Sequence, residues 1–341
     1  MKIEYFVASN KGKVRAANED SFAVGEKGNI WIVCDGMGGG VAGKFASDLT
    51  TRCILKHISD FGNPENMQLR QFYDRNLPLQ SVCLAEGIQL ANRLLFNLSM
   101  EYPRLQGMGT TVCSLFLEDN TAYLAHAGDS RIYSFKNSRM HLLTKDHSFV
   151  MELLEDKEIS KKEAAKFKQK NVITRALGAH KACDLDLYIQ PVTSYTKYFL
   201  LCTDGLWNVV SDSEIEAELQ QSDGNPEKIC NSLIDLANAK GGPDNITVAF
   251  VKLLELDKSR VGGAGNLQEK TITISNRDKS FLKTQDKVLM KSGREIIKNL
   301  PIEILKERSR EILTNVLMYS ALSLAIIGIL FLIKIKLQLT P

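Results

Sequence analysis

Ile30-Trp31-Ile32-Val33-Cys34-Asp35-Gly36 is five apolar residues running straight into an acid and a glycine. A short apolar run bounded by turn residues reads as a buried strand, and this one ends on a carboxylate. The arrangement recurs along the chain. Tyr198 to Thr203 leads into Asp204-Gly205, Ala122 to Ala127 leads into Gly128-Asp129, and Asp244-Asn245 opens the run Ile246 to Val251. In an antiparallel sheet the C-terminal end of one strand lies beside the N-terminal end of its neighbour. Three acids after strands and one before a strand therefore gather at one sheet edge. Asn18-Glu19-Asp20, just before Ser21 to Val24, adds two more.

Outward from these runs, strand-like segments are read at 3–8, 30–34, 112–117, 121–126, 131–135, 198–202 and 246–252. Helix-like segments are read at about 44–58, 80–100, 148–156, 213–220 and 226–239. Most strands are separated by short turns, and the long helices come in separate blocks. That pattern predicts an α+β domain with antiparallel sheets over residues 1–254, not a doubly wound parallel sheet.

Composition fits a globular body: 44% of the 341 residues are apolar and 24% charged, which excludes a disordered, collagenous or polytopic membrane chain. The net charge of +3 is split. Residues 1–254 carry 28 Lys+Arg against 31 Asp+Glu, and residues 255–341 carry 15 against 9. A mildly acidic body on a basic tail argues against nucleic acid as a partner and points to an acidic membrane surface near the tail. The seven cysteines stand singly without a CxxC pair, so they are expected to be reduced, buried small hydrophobes. The N-terminal stretch has no apolar core of a leader.

Residues 255–315 read as a basic linker. The part to 299 has a single aromatic residue, Phe281, with ten Lys+Arg and six Asp+Glu, and allows a short helix near Lys287 to Asn299. Val316 to Ile333 then runs 18 residues without a charge, about 27 Å of helix at ~1.5 Å per residue. It is expected to be a transmembrane helix, followed by a short tail at 334–341. The basic residues upstream place the body in the cytoplasm, giving a single-pass anchor.

Gathered carboxylates repel unless a cation neutralises them. Oxygen-only ligands suit hard divalent ions, Mg²⁺ or Mn²⁺. Two such ions about 3.5–4 Å apart, sharing one aspartate, lower the pKa of a bridging water and clamp an in-line phosphoryl displacement. Arg15, three residues before Asn18, supplies the fork geometry that a phosphate needs.

At this point the chain resembles the metal-dependent protein serine/threonine phosphatases of type 2C, the PPM family, in their compact bacterial form. The matching stretches come in order: Arg15-Ala16-Ala17-Asn18-Glu19-Asp20, Val33 to Gly39, Gly109-Thr110-Thr111, Ala127-Gly128-Asp129-Ser130-Arg131, Leu143 to Ser148, Ile173 to Gly178, Thr203-Asp204-Gly205-Leu206-Trp207, and Asp244-Asn245-Ile246-Thr247. The resemblance implies two antiparallel sheets packed as a sandwich and flanked by helix pairs. It implies hydrolysis of phosphoserine and phosphothreonine in proteins, the substrates of a cognate kinase, by a water bridging two Mn²⁺ or Mg²⁺ ions. Asp35 would bridge the two ions, with the Gly36 carbonyl on one of them. Asp204 and Asp244 would complete the first, and Glu19, with Asp20 beside it, would serve the second. Asp129 would share a third, weaker ion with Asp204, and Arg15 would hold the substrate phosphate. Where eukaryotic members carry a histidine, this chain has Met37, so the leaving group must find its proton elsewhere. His126 and His147 read as structural, and residues 148–172 fall where the family has a flap.

Two other readings are weighed. Gly38, Gly40 and Gly43 match a GxGxxG dinucleotide turn, but Asp35 would face a pyrophosphate with the wrong charge and the other strand-end acids would go unused. A catalytically inactive, phosphoprotein-binding membrane scaffold would be marked by lost acids, and every expected acid is present.

Overall fold

All five residues of the strand Ile30–Cys34 (β3) are buried, because apolar structure covers both of its faces. In a computed structural model of the chain, residues 1–60, 70–137, 139–167, 172–222, 224–257, 270–274 and 279–298 are described. Among them, β1 (Lys2–Asn10), β12 (Ile246–Glu255), β11 (Thr196–Cys202), β8 (Arg131–Lys136) and β9 (Arg139–Leu142) form, in that order, a five-stranded sheet. A six-stranded sheet runs β13 (Lys270–Ile274), β10 (Leu185–Pro191), β7 (Thr121–Ala127), β6 (Val112–Glu118), β3 and β2 (Ser21–Val24). Every pairing within these sheets is antiparallel. The short strands β4 (Gly36–Met37) and β5 (Gly109–Thr110) pair beside them.

Alternation along β11 shows how the layers share one strand. Phe199 and Leu201 join Trp31, Val33, Leu115, Leu124, Ala249 and Val251 in a cluster between the two sheets. Leu200 and Cys202 point the other way, into a cluster with Ile215, Leu219, Ile229, Leu233 and Phe250. That second cluster is closed by α6 (Asp212–Gln221) and α7 (Pro226–Ala239). Helix α7 starts where the Asn225 side chain accepts from the Lys228 amide and Pro226 fills the first turn. Its Ile229, Cys230, Leu233, Ile234 and Ala237 recur at helical spacing and are buried. A second helix pair, α1 (Val41–Ser59) and α2 (Leu79–Glu101), packs against the six-stranded sheet. All seven cysteines are free and buried.

The α+β sandwich of two antiparallel sheets with helix pairs is the architecture expected from the sequence. Three features differ from that reading. Leu185–Pro191 forms β10, where no strand was expected, since Asp186 and Gln190 interrupt its apolar pattern. The expected linker after residue 254 is partly folded: Lys270–Ile274 adds an unexpected β13 to the sheet edge, and the short helix allowed near Lys287 to Asn299 is the longer α8 (Lys279–Lys298). The compact unit accordingly extends from Met1 to Gly293, and Arg294–Pro341 forms a second unit. In the charged flap region the helix expected at about 148–156 forms as α3 (Phe149–Glu155), and a second, unexpected one, α4 (Lys161–Lys166), follows it. The expected transmembrane helix at 316–333 lies outside the described residues. Among the described residues, no helix is long and apolar enough to cross a membrane.

Helix α8 is fastened to the body by Phe281, fully buried edge-on to Phe72 and Tyr73 with ring centroids 5.3 and 6.1 Å away. Arg93 on α2 donates to both carboxylate oxygens of Asp286 at 2.7 and 2.8 Å. Phe281→Ala is expected to destabilise the body by about 3–5 kcal/mol, the cost of an emptied aromatic site, read as a lowered denaturation midpoint. An unchanged midpoint would mean that α8 contributes nothing to the fold.

Candidate metal centre

Asp35 follows the last residue of β3, and its backbone is held on three sides. Its amide donates to Thr111 Oγ1 at 2.9 Å, and its carbonyl accepts from the Thr111 amide at 2.9 Å and from Thr110 Oγ1 at 2.8 Å. The Gly109-Thr110-Thr111 stretch is therefore a clamp on the strand end. Gly36 is glycine because a Cβ there would lie 2.2 Å from the Gly43 carbonyl oxygen and 2.6 Å from that of Glu19.

The other strand-end acids are clamped in similar ways. The Asn245 side-chain amide donates to the carbonyls of Lys11 and Ala17, both at 2.9 Å, and its oxygen accepts from the Glu19 amide at 2.8 Å. Asn245 thus staples the 11–19 loop to the start of β12. Asp20 Oδ2 accepts from Thr203 Oγ1 at 2.9 Å and Thr247 Oγ1 at 2.7 Å. Asp204 begins the short helix α5 (Asp204–Trp207), and its Oδ2 accepts from Asn208 Nδ2 at 2.9 Å. Asp129 follows Gly128, whose φ of 114° is a left-handed conformation that suits glycine. Trp207 Nε1 donates to the Asp129 carbonyl at 3.0 Å. Arg131 lies 3.6 Å from the Trp207 ring centroid and forks onto Asp146 at 2.9 and 2.6 Å.

These side chains share one electrostatic field. Burial first, then the charges of Asp20, Asp204, Asp129 and Asp244, push the Asp35 carboxyl far above the usual range. Burial, opposed by the bonds from Thr247 and Thr203 and reinforced by Asp204 and Asp244, raises Asp20 to about 7. Burial and the charges of Asp204 and Asp146 raise Asp129 to about 8. Asp204 is pushed up to about 6 by burial and Asp244, against a hydrogen bond with Asp35 and the charge of Arg15. Arg15 forms a 2.6 Å ion pair with Asp244 while its side chain stays half-exposed. The hydrogen bond to Asp244 raises the guanidinium pKa, with smaller contributions from Asp35 and Asp204.

Of the eight residues read as site residues from the sequence, Arg15, Asp20, Asp35, Asp129, Asp204 and Asp244 are brought into this field. Gly36 is packed beside Asp35. Glu19 lies on the Gly36 side of the cluster: its Oε1 accepts from the Gly40 amide at 2.7 Å, at the head of α1, where the helix dipole favours an anion, and its Oε2 and the Gly36 backbone both crowd the position a Gly43 Cβ would take. Asp20 is oriented inward with Asp204 and Asp244 rather than alongside Glu19. The clamping residues Thr110, Thr111, Thr203, Asn245, Thr247, Arg131 and Trp207 sit inside the sequence motifs, yet the strand-end pattern assigns them no role. Their one signal is polarity right next to apolar strand ends.

His126 and His147 lie behind the Gly128 turn, both buried, with ring centroids 4.7 Å apart and the rings tilted by 39°. Burial holds His126 well below the usual histidine range.

The donor set suits hard divalent cations. It is all oxygen, and among the described residues Asp20 Oδ1 and Asp129 Oδ1 are buried without a hydrogen-bond partner. Among the same residues, no group of three or more His, Cys, Asp or Glu side chains is already drawn to the spacing of a closed metal cage.

Comparison with known proteins places this geometry. Residues 15–246 match the family described as protein phosphatase 2C. The serine/threonine phosphatase stp of Listeria innocua is 37% identical over 259 residues, covering 74% of this chain and 96% of that protein. A crystal structure of the serine/threonine phosphatase PstP/Ppp of Mycobacterium tuberculosis superposes with a TM-score of 0.64 at 32% identity, over 74% of this chain and 99% of that one. The catalytic domain of PstP in complex with two manganese ions gives a TM-score of 0.61 at 31% identity, over 74% and 99%.

A carboxyl whose pKa is raised by folding contributes stability that is present at low pH and lost as the pH rises through the raised value. Asp204, Asp20 and Asp129, raised to about 6, 7 and 8, therefore weaken the metal-free fold progressively from about pH 4 to about pH 8. The melting temperature in a chelator is expected to fall across that range, and added Mn²⁺ is expected to restore more at the alkaline end than at the acid end. A flat profile without metal would contradict the mutual repulsion.

Proposed function

The chain belongs to the protein phosphatase 2C family and is a metal-dependent serine/threonine protein phosphatase; from that premise we propose how its residues divide the work. The observation that carries the assignment is the convergence of Asp20, Asp35, Asp129, Asp204 and Asp244, from five separate strand ends, with Arg15 at their edge. Asp35, with the Gly36 carbonyl, would be a shared ligand of the divalent ions; Asp204 and Asp244 would help to hold one, Glu19 would serve another, and Asp129 with Asp204 would hold a further, weaker one. Mn²⁺ or Mg²⁺ bound there would cancel the carboxylate repulsion and lower the pKa of water, supplying the nucleophile for phosphoester hydrolysis.

The chain's own groups do the rest. Arg15 exchanges its bond to Asp244 for the substrate phosphate, which it grips in a bidentate fork. Its half-exposed position leaves it reachable from solvent. Thr110 and Thr111 fix the Asp35 backbone, so its carboxylate does not follow the substrate's movement. Asp20, held by two threonine hydroxyls, sets the charge that Asp35 and Asp204 feel. The substrates are phosphoserine and phosphothreonine in proteins modified by a cognate kinase. The inactive-scaffold reading loses its basis, since every acid it would lack is present.

Membrane tethering is part of the same proposal. It rests on the uncharged run 316–333 and its basic flank, and it places the phosphatase on the cytoplasmic face.

Asp35→Ala and Asp204→Ala are expected to abolish Mn²⁺-dependent hydrolysis of an aryl phosphate; turnover at the wild-type level in either variant would remove the acids from catalysis. Arg15→Ala is expected to lower kcat/KM about 10- to 100-fold, from the roughly 1.5–3 kcal/mol of a charge-assisted hydrogen bond, and an unchanged value would take Arg15 out of the site. Full-length chain is expected in the membrane fraction, and chain ending before Leu300 in the soluble one. Equal partition of the two would refute the anchor.

A further inference from the structure

We propose that Thr273, on a strand that follows the family domain, is a positioning residue for the catalytic turn Gly128–Asp129, acting through Asp186 and His147. Thr273 lies beyond the 15–246 region that matches the family, on edge strand β13, directly opposite Asp186 of β10. Its hydroxyl donates to Asp186 Oδ1 at 2.7 Å. Asp186 sits in register with His126 of β7 on its other side, and its second oxygen, Oδ2, lies 3.0 Å from His147 Nε2.

The tautomer of His147 follows from its other nitrogen. The Gly128 amide donates to His147 Nδ1 at 3.1 Å, so Nδ1 carries no proton. The ring proton is on Nε2 and goes to Asp186. The His147 backbone amide returns a bond to the Gly128 carbonyl at 2.8 Å. Gly128 is thus held on both its amide and its carbonyl by one histidine, whose ring angle is set by Asp186. Gly128 has little freedom to move: at its positive φ, a Cβ would meet Thr111 Cβ at 2.6 Å.

Asp186 is the hub, and Thr273 contributes to holding it. Arg175 Nη1 lies 3.1 Å from the same Oδ1 that Thr273 reaches. Burial alone would raise the Asp186 pKa, but the bonds from His147 and Thr273 and the charge of Arg175 outweigh it and leave the carboxyl below its usual range. An ionised, fully engaged Asp186 fixes the imidazole, much as outer-shell carboxylates orient ligand histidines. Strand β13 is held at the sheet edge by its antiparallel pairing with β10. The segment after the family domain is therefore wired to the site by four groups: Thr273, Asp186, His147 and Gly128.

The consequence for activity rests on the reading of Asp129 as a metal-site residue, so the experiment separates the two. Full-length Thr273→Val, Thr273→Ser and Asp129→Asn are compared with wild type. In metal-free protein, wild-type His147 is expected to show the ¹⁵N signature of the Nε2–H tautomer. Amide exchange at Gly128 is expected to speed up about 3- to 10-fold in Thr273→Val, the worth of one hydrogen bond, and to return to the wild-type rate in Thr273→Ser. With an aryl phosphate, Thr273→Val is expected to need about 3- to 10-fold more Mn²⁺ for half-activation, with KM unchanged. Wild-type exchange at Gly128 in Thr273→Val overturns the proposal, as does a defect that serine fails to rescue. If exchange quickens but Asp129→Asn leaves the Mn²⁺ response untouched, the assignment of Asp129 is what fails, and the hold of Thr273 on the turn stands.

Discussion

Like charges kept out of water within one another's reach are the constraint that the rest of this structure answers. Asp20, Asp129 and Asp204 are buried and Asp35 is half-buried among them, and these acids raise the cost of ionising one another. Left to themselves, such carboxylates would turn apart or take up protons. The fold prevents the first by fixing backbone rather than side chains. Threonine hydroxyls, an asparagine and a tryptophan indole bind the peptide groups around the acids. The result is a concentrated negative site built on rigid strand ends, which divalent cations can stabilise and which a flexible loop could not maintain.

What was legible in the sequence was local. An apolar strand ending on Asp35 or Asp204 announces itself within seven residues, and alternation of the acids across strand ends predicts their meeting. The clamps were not legible, because each joins residues far apart in the chain. Thr111 lies 76 residues from Asp35, and Asn245 lies 226 from Glu19. That Asp20 faces Asp204 and Asp244 while Glu19 faces the head of α1 was equally hidden, since adjacent residues on an extended segment point to opposite sides by geometry that the letters do not show. Strand β10 escaped because its polar Asp186 and Gln190 break the apolar pattern, and both are buried for reasons of pairing.

The segment after β12 gives a different lesson. Its glycines, lysines and single aromatic residue read as a linker, and average composition cannot distinguish a linker from a docked arm. Docking here depends on individual residues: Phe281 in an aromatic slot, Asp286 in the fork of Arg93, and Thr273 across from Asp186. Two polar chains then converge on the same turn. Arg131, Asp146 and Trp207 reach the Asp129 carbonyl, while Asp186 and His147 reach the Gly128 peptide groups. A single turn braced by two independent sets of bonds is a natural point at which the outer parts of the molecule bear on its chemistry.

The strand order also dictates when the molecule first becomes competent. Strand β12 lies between β1 and β11, and Asn245 at its head staples the loop that carries Glu19. A ribosome delivers the N-terminal strands first, but β1 has no neighbour in its sheet until β12 emerges. Asp244 and the Asn245 staple therefore join the earlier acids only once β12 has been made, so the complete set of carboxylates closes late in synthesis.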